Sequence, residues 1–179
     1  MATIRFLPLS PAALAALVDG DLDAASAAAG YPLSSFLVDE RWLWEVRLAD
    51  IGRDPEAADW IARAVIAEPE GVIVGHGGFH GPPDENGVVE VGYTVAPEFR
   101  LRGYATAILA GLLARADADP RVTAVRASVR PDNTGSRKVV ARFGFRKIGE
   151  QWDPEDGIED VYLREVGGPT RPGAHPGRR

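Results

Sequence analysis

A chain of 179 residues, 45% of them apolar, is sized for one domain with its own buried core. Its formal charge of −6 supplies no general positive field, so neither nucleic acid nor anionic lipid is expected as a partner and any bound anion has to be held locally. The absence of cysteine excludes disulfides, thiolate metal sites and a cysteine nucleophile together.

The opening "MATIRFLPLS" carries one arginine and no apolar stretch of signal-peptide length. No uncharged run approaches the ~20 residues that span a bilayer, so a cytoplasmic chain with no membrane partner is expected. Residues 3–7, "TIRFL", alternate apolar and polar and read as a short strand. Ser10-Pro11 is a cap followed by proline at the first helical position, which opens a helix running to about Val18. "DLDAASAAAG" predicts a second short helix ending at Gly30. From about Val38 to Ile51, Trp42, Val46 and Ala49 share one face, which predicts an amphipathic helix buried along that face and terminated by Gly52. Trp42, Trp44 and Trp60 read as core and groove wall. "RAVIA" reads as a strand because "EPEG" supplies a turn and "VIVGHGGF" a partner.

Val72 to Val95 reads as two strands joined by "GPPDENG". In the second strand, Val89, Val91, Tyr93 and Val95 fall on one face and Glu90, Gly92 and Thr94 on the other. A helix follows from about Gly103 to Ala118, with Ala105, Ile108, Leu109, Leu112 and Ala116 as its buried stripe. A strand over 122–129, a helix over 134–143 closed by Gly144, and two strands at about 145–151 and 158–166 complete the order. Strand, helices, three strands, helix, strand, helix, two strands predicts an α/β domain of the layered α+β kind, single over residues 1–166. The tail 167–179, "GGPTRPGAHPGRR", is expected to be disordered.

The chemistry concentrates at "EFRLRGYA", residues 98–105. The first amides of a helix lack intrahelical partners and carry the positive end of the macrodipole, so a helix that follows a strand can hold an anion. Gly103 leaves the backbone bare, Ala105 keeps the next turn small, and Arg100 and Arg102 add local positive charge. There is no G-K-[ST] and no G-x-G-x-x-G.

"RLRGYA" after "VEVGYTV" and "APEF" resembles the acyl-CoA signature (Q/R-x-x-G-x-G/A) of the GNAT superfamily of N-acetyltransferases. "NTGSRKVVARFGF" is similar to its second motif, in the branch that acetylates the N-termini of ribosomal proteins and various small amines. The resemblance runs from about Val72 to Glu165 and implies a central mixed, mostly antiparallel sheet flanked by helices. It also implies an enzyme that uses acetyl-CoA and no metal. The amides of Arg102, Gly103, Tyr104, Ala105 and Thr106 would hold the pyrophosphate, with Arg100 near the entrance. Val95 and Ala96 would pair with pantetheine, a bulge there aiming an amide at the thioester oxygen. Asn133 would meet the pantetheine arm and Ser136 would lie near the sulfur.

Many relatives carry a tyrosine seven residues after that asparagine as the acid for the departing thiolate, but here the position is Val140. Ser136 is therefore the candidate donor, and the competing reading makes it a helix-start serine that satisfies a backbone amide. Glu90 is the first candidate for the base, on the same face as Thr94. His76 and His80, four apart on one face of the preceding strand, titrate in the right range and could instead line the acceptor pocket. These two histidines with Asp84 or Glu85 have no recognised metal-ligand spacing. The expected activity is transfer of an acetyl group to a primary amine, of a small molecule or of a peptide or protein N-terminus, by direct attack in a ternary complex. The alternative is a non-catalytic acyl-CoA-binding or regulatory module on the same fold. A monomer or homodimer is expected.

Overall fold

The computed structural model describes residues 2–61, 63–154 and 157–167. Its elements run β1 (Thr3–Leu7), α1 (Pro11–Asp19), α2 (Leu22–Ala29), α3 (Ser35–Asp39), α4 (Arg41–Arg53), α5 (Ala57–Trp60), β2 (Arg63–Glu68), β3 (Val72–Phe79) and β4 (Val88–Val95). A 3-10 turn (Pro97–Phe99) then leads to α6 (Tyr104–Ala118), β5 (Ala124–Val129), α7 (Thr134–Arg142), β6 (Arg146–Asp153) and β7 (Gly157–Glu165). The strands are hydrogen-bonded in the order β1-β2-β3-β4-β5-β7-β6. Every pairing is antiparallel except β4 with β5, which is the mixed, mostly antiparallel α+β sheet expected from the sequence. Two compact units divide the chain, residues 1–82 with 91–112 and residues 83–90 with 113–179, so β4 and α6 each contribute to both. No described helix is long and apolar enough to cross a membrane. The expectation for the tail concerns residues that, beyond Gly167, lie outside those described.

In the first unit the capping signals act as written. Ser10 Oγ accepts from the Ala13 amide at 3.2 Å, Asp21 Oδ1 from the Ala24 amide at 2.9 Å, and Gly20 and Gly30 close α1 and α2 at φ 79° and 64°. The fourth helix departs from expectation. It begins at Arg41, after the separate turn α3, passes through Gly52 and ends at Asp54, which serves as its C-cap. Its buried face is also different: Trp42 and Val46 are 50% and 44% exposed, whereas Leu43, Trp44 and Arg47 are buried. Both stripes have helical spacing, and the buried one is anchored by partners for the Trp44 indole and for one end of the Arg47 guanidinium. The Trp44 indole donates to the Leu37 carbonyl at 2.6 Å, and Arg47 Nη1 donates to Asp50 and to the His80 carbonyl at 2.8 and 3.1 Å.

On the sheet, α3 and α4 cover the face that carries His76, whose ring contacts Phe36 and Trp44. The opposite face carries α6, with Ile108 so near the strand that a Cβ on Gly77 would lie 2.7 Å from its Cγ2. The buried residues of α6 include Ile108, Leu109, Leu112, Leu113 and Ala116, while Ala105 in the first turn is half-buried. The bulge expected at the end of β4 lies elsewhere. Pairing of β3 with β4 runs from Gly75↔Val95 to Phe79↔Val91 without a shift, whereas Val65↔Gly75 is followed by Ile66↔Ile73, so Val74 is the extra residue. Glycine makes this possible, because a Cβ on Gly75 would fall 2.1 Å from the Thr94 carbonyl oxygen.

In the second unit β5 pairs with β7 and β7 with β6, while α7 is tied down by Arg137, which donates to the Tyr162 hydroxyl at 3.3 Å. Arg164 is buried and forks onto Asp117 at 3.0 and 3.1 Å, fixing the end of α6 to β7. The hydrogen bonds from Arg164, and its charge, hold the Asp117 carboxyl below the usual carboxylate range. A depressed folded-state pKa contributes stability that is present above the unfolded value, about 3.9, and is lost as pH falls through the folded value. Asp117→Asn is therefore expected to cost about 2 kcal/mol at pH 7, typical of hydrogen bonds to a charged group, with the gap to wild type narrowing below about pH 4. Urea denaturation of both proteins at pH 7 and in acid checks this; a gap unchanged in acid would show that charge does not matter at the pair.

Candidate active site

Three residues of β4, Val88 to Glu90, pair with β5. From Val91 onward, among the described residues, β4 pairs only with β3. The Ala96 amide donates to the Val74 carbonyl on β3 at 2.9 Å. Alternation along the strand then points the N–H groups of Val95 and Tyr93 to the other edge. Sequence reasoning grouped Val95 with Ala96, yet the two differ. Both backbone groups of Ala96 are engaged, its carbonyl accepting from the Phe99 amide at 2.9 Å.

The turn after β4 bends the chain into α6. Arg100 folds back so that its Nε donates to the Val95 carbonyl at 3.1 Å, clamping the end of the strand. Leu101 follows at φ 62°, fully exposed, and Gly103 at φ 86°. A Cβ on Gly103 would meet nothing within 4 Å, so the left-handed backbone is what favours glycine there. The first intrahelical bond of α6 runs from the Ala107 amide to the Gly103 carbonyl at 3.1 Å, which leaves the amides of Tyr104, Ala105 and Thr106 ahead of it at the helix mouth. Arg102 lies over the Phe99 ring, 5.5 Å from its centroid, and Phe99 meets Tyr104 edge-on at 6.2 Å. Phe99 is a supporting residue that the signature does not mark, since only the folded turn brings it under Arg102.

In the second unit Asn133 is the N-cap of α7, its Oδ1 accepting from the Ser136 amide at 3.0 Å. The capping task is therefore met by Asn133, and the Ser136 side chain is not the cap. Glu90 Oε1 accepts from the Ser128 hydroxyl at 2.6 Å, and Oε2 faces Arg126 Nε at 3.6 Å. Gln151 ties the group together, donating to Ser128 at 3.0 Å and to Glu159 at 2.9 Å and accepting from Arg126. Both Glu90 oxygens thus serve a side-chain network on the sheet.

The two histidines separate. His80 is exposed just beyond β3, with its ring over Gly92, where a Cβ would lie 2.8 Å from Nε2. His76 is 4% exposed, stacked on Phe36 at 5.9 Å, edge-on to Trp44 at 5.3 Å, with Nε2 3.3 Å from Glu40 Oε2. A buried ring does not line a pocket as expected; the group it holds, Glu40, is the one that reaches the surface. Among the described residues no cluster of His, Asp or Glu is arranged to hold a metal ion.

The model of the family described as the acetyltransferase (GNAT) domain matches residues 6–146. Over 86 residues the chain is 34% identical to the uncharacterized N-acetyltransferase YjdG of Bacillus subtilis (strain 168), a match covering 48% of this chain and 49% of that protein. The chain thus spans about half the length of this relative. Among solved structures, the ribosomal-protein-S5-alanine acetyltransferase from Vibrio fischeri is 15% identical, with a TM-score of 0.62 over 96% of this chain and all of that one, 100%. The yncA protein from Salmonella typhimurium, solved with its cofactor acetyl-CoA, is 18% identical, with a TM-score of 0.56 over 98% and 99% of the two chains. At these identities the two structures speak for the fold. Because the family model spans well over half of its residues, the chain belongs to the GNAT acetyltransferase family.

Proposed function

We propose that this protein transfers the acetyl group of acetyl-CoA to a primary amine by direct attack in a ternary complex. The observation that carries this reading is the mouth of α6. Two left-handed residues, Leu101 and Gly103, deliver the chain into a helix whose leading amides, with Arg100 and Arg102 beside them, suit a diphosphate. The edge of β4 that faces away from β3 suits the amide-bearing pantetheine arm, with Val95 as the pairing residue. Val95 N–H is the donor for the thioester oxygen as charge builds there in the tetrahedral intermediate. Acetyl-CoA supplies the activated acyl carbon. The chain has no cysteine to carry an acyl group, so its work is positioning.

Acceptor class is tested with ethanolamine, spermidine, kanamycin and a hexapeptide with a free N-terminal alanine, reading release of free CoA. Turnover of at least one is expected. Binding of acetyl-CoA with no CoA released by any of them would favour the non-catalytic module.

Gly103→Asp puts a negative charge and a strained side chain at the diphosphate position. It is expected to weaken acetyl-CoA by at least about tenfold, about 1.4 kcal/mol, in a protein that still melts cooperatively. Calorimetry with unchanged affinity would remove the diphosphate from this turn.

Ser136 enters the proposal through its place in the N-x-x-S motif, as hydrogen-bond donor to the leaving thiolate. Since Asn133 does the capping, Ser136→Ala is expected to keep the wild-type melting temperature while kcat falls about ten- to a hundredfold at unchanged acetyl-CoA affinity. Full turnover would assign thiolate departure to another donor.

A further inference from the structure

Glu40 sits at the joint between α3 and α4, closing one and opening the other at φ −90° and ψ 23°. Its side chain is 21% exposed, against 6% for its partner His76. The pair is thus asymmetric: the imidazole is sealed between Phe36 and Trp44, and the carboxylate faces outward. His76 is the partner of Glu40 among the described residues.

The charged groups packed around it are committed elsewhere. Arg47 on α4 donates to Asp50 and to the His80 carbonyl, and Arg53 pairs with the same Asp50 at 2.7 Å. Arg41 reaches away over the end of α1, its Nη2 3.2 Å from the Cβ position of Gly20. Asp39, the neighbouring acid on α3, is exposed and adds negative charge. Glu40 is therefore a half-buried carboxylate with one oxygen held by the His76 ring and, among the described residues, no arginine paired with it. A cation is the missing complement.

Its place on the sheet says what that cation does. His76 is in register with Thr94, the residue before Val95, within the same unit. Directly paired residues stand about 5.5 Å apart at Cα. The carboxylate is thus tied, through the His76 ring, to the residue paired with Thr94, one position before the Val95 whose amide is assigned to the thioester oxygen.

We propose that Glu40 receives the ammonium of the acceptor amine and takes up its proton, with His76 as the positioning residue that fixes the carboxylate. This rests on the transferase reading above. The acceptor's ammonium donates to Glu40 and transfers one proton to it. The freed lone pair forms the C–N bond at the acyl carbon, and the C–S bond breaks with its electron pair leaving on sulfur. The second nitrogen proton balances the thiolate, and Glu40 returns the first to solvent. Ammonium and acetyl thioester become N-acetyl amide, free thiol and one released proton. The site selects cationic primary amines over neutral or anionic acceptors.

The test uses the full chain and the best acceptor from the panel, with kcat and KM measured across pH beside melting temperature and acetyl-CoA affinity. Glu40→Gln keeps shape and the hydrogen bond to His76, and is expected to lower kcat/KM for the amine at least about a hundredfold, with melting temperature and acetyl-CoA affinity unchanged. The deficit is expected to shrink as pH rises toward the pKa of the amine, where free base no longer needs Glu40. Glu40→Asp is expected to recover part of the activity, and His76→Gln to raise KM more than it lowers kcat. A Glu40→Gln protein within about twofold of wild type at every pH overturns the proposal. So does a loss of turnover that tracks a fall in melting temperature and is equal in Glu40→Asp, because that marks a purely structural joint. Failure of the wild-type protein on the whole panel overturns the transferase reading itself, and is seen before any variant is made.

Discussion

Backbone hydrogen bonding along β4 changes after Glu90. Up to that point the strand pairs with β5; beyond it the strand pairs, among the described residues, with β3 alone, and the Val95 N–H points away from β3. Unpaired amides are costly when buried, so such an edge is either solvated or used. The features of the first unit converge on keeping this stretch straight and in place. Val74 bulges on β3, the Ala96 amide is locked onto it, and Arg100 clamps the last outward carbonyl. The strand end is rigid by virtue of bonds on its other side, which is what a preset donor to a developing oxyanion requires.

The same clamp sets the direction of α6. With Arg100 turned back onto Val95, the chain has only Leu101 to Gly103 in which to reverse, and it does so through two left-handed residues, one of them not glycine. Backbone strain of this kind costs on the order of 1 kcal/mol or more and persists where surrounding contacts over-determine it. Here Arg102 on Phe99, and Phe99 against Tyr104, supply those contacts. The outcome is a helix mouth with about half a unit of positive charge close to the strand end. A donor with a diphosphate at one end and a thioester at the other matches both features.

Much of this was legible before the fold was known. Ser10-Pro11, Asp21, Gly20 and Gly30 act over three or four residues, and local signals of that range give α1 and α2 nearly to the residue. The alternation in "VVEVGYTV" and the glycine at 103 located β4 and the turn after it. Features set by tertiary partners were not legible. Trp42 and Trp44 have equal claims to the core by spacing, and only the Leu37 carbonyl settles in favour of Trp44. The bulge went to β3 because Gly75 can approach the Thr94 carbonyl, a contact no strand pattern reveals. Glu40 and His76 stand 36 residues apart, and neither carries a motif. Glu90 had the right face and spacing for a base, but its carboxylate is taken up by Ser128 and Arg126.

The central claim, that acetyl-CoA lies along the open edge of β4 with its diphosphate on the mouth of α6, is tested most directly by amide hydrogen exchange with and without saturating acetyl-CoA. The expected result is new protection at Val95 and across Gly103 to Thr106, with the Ala96 amide, already bonded to Val74, unchanged. Saturation of binding with exchange at those amides unaltered would contradict the account.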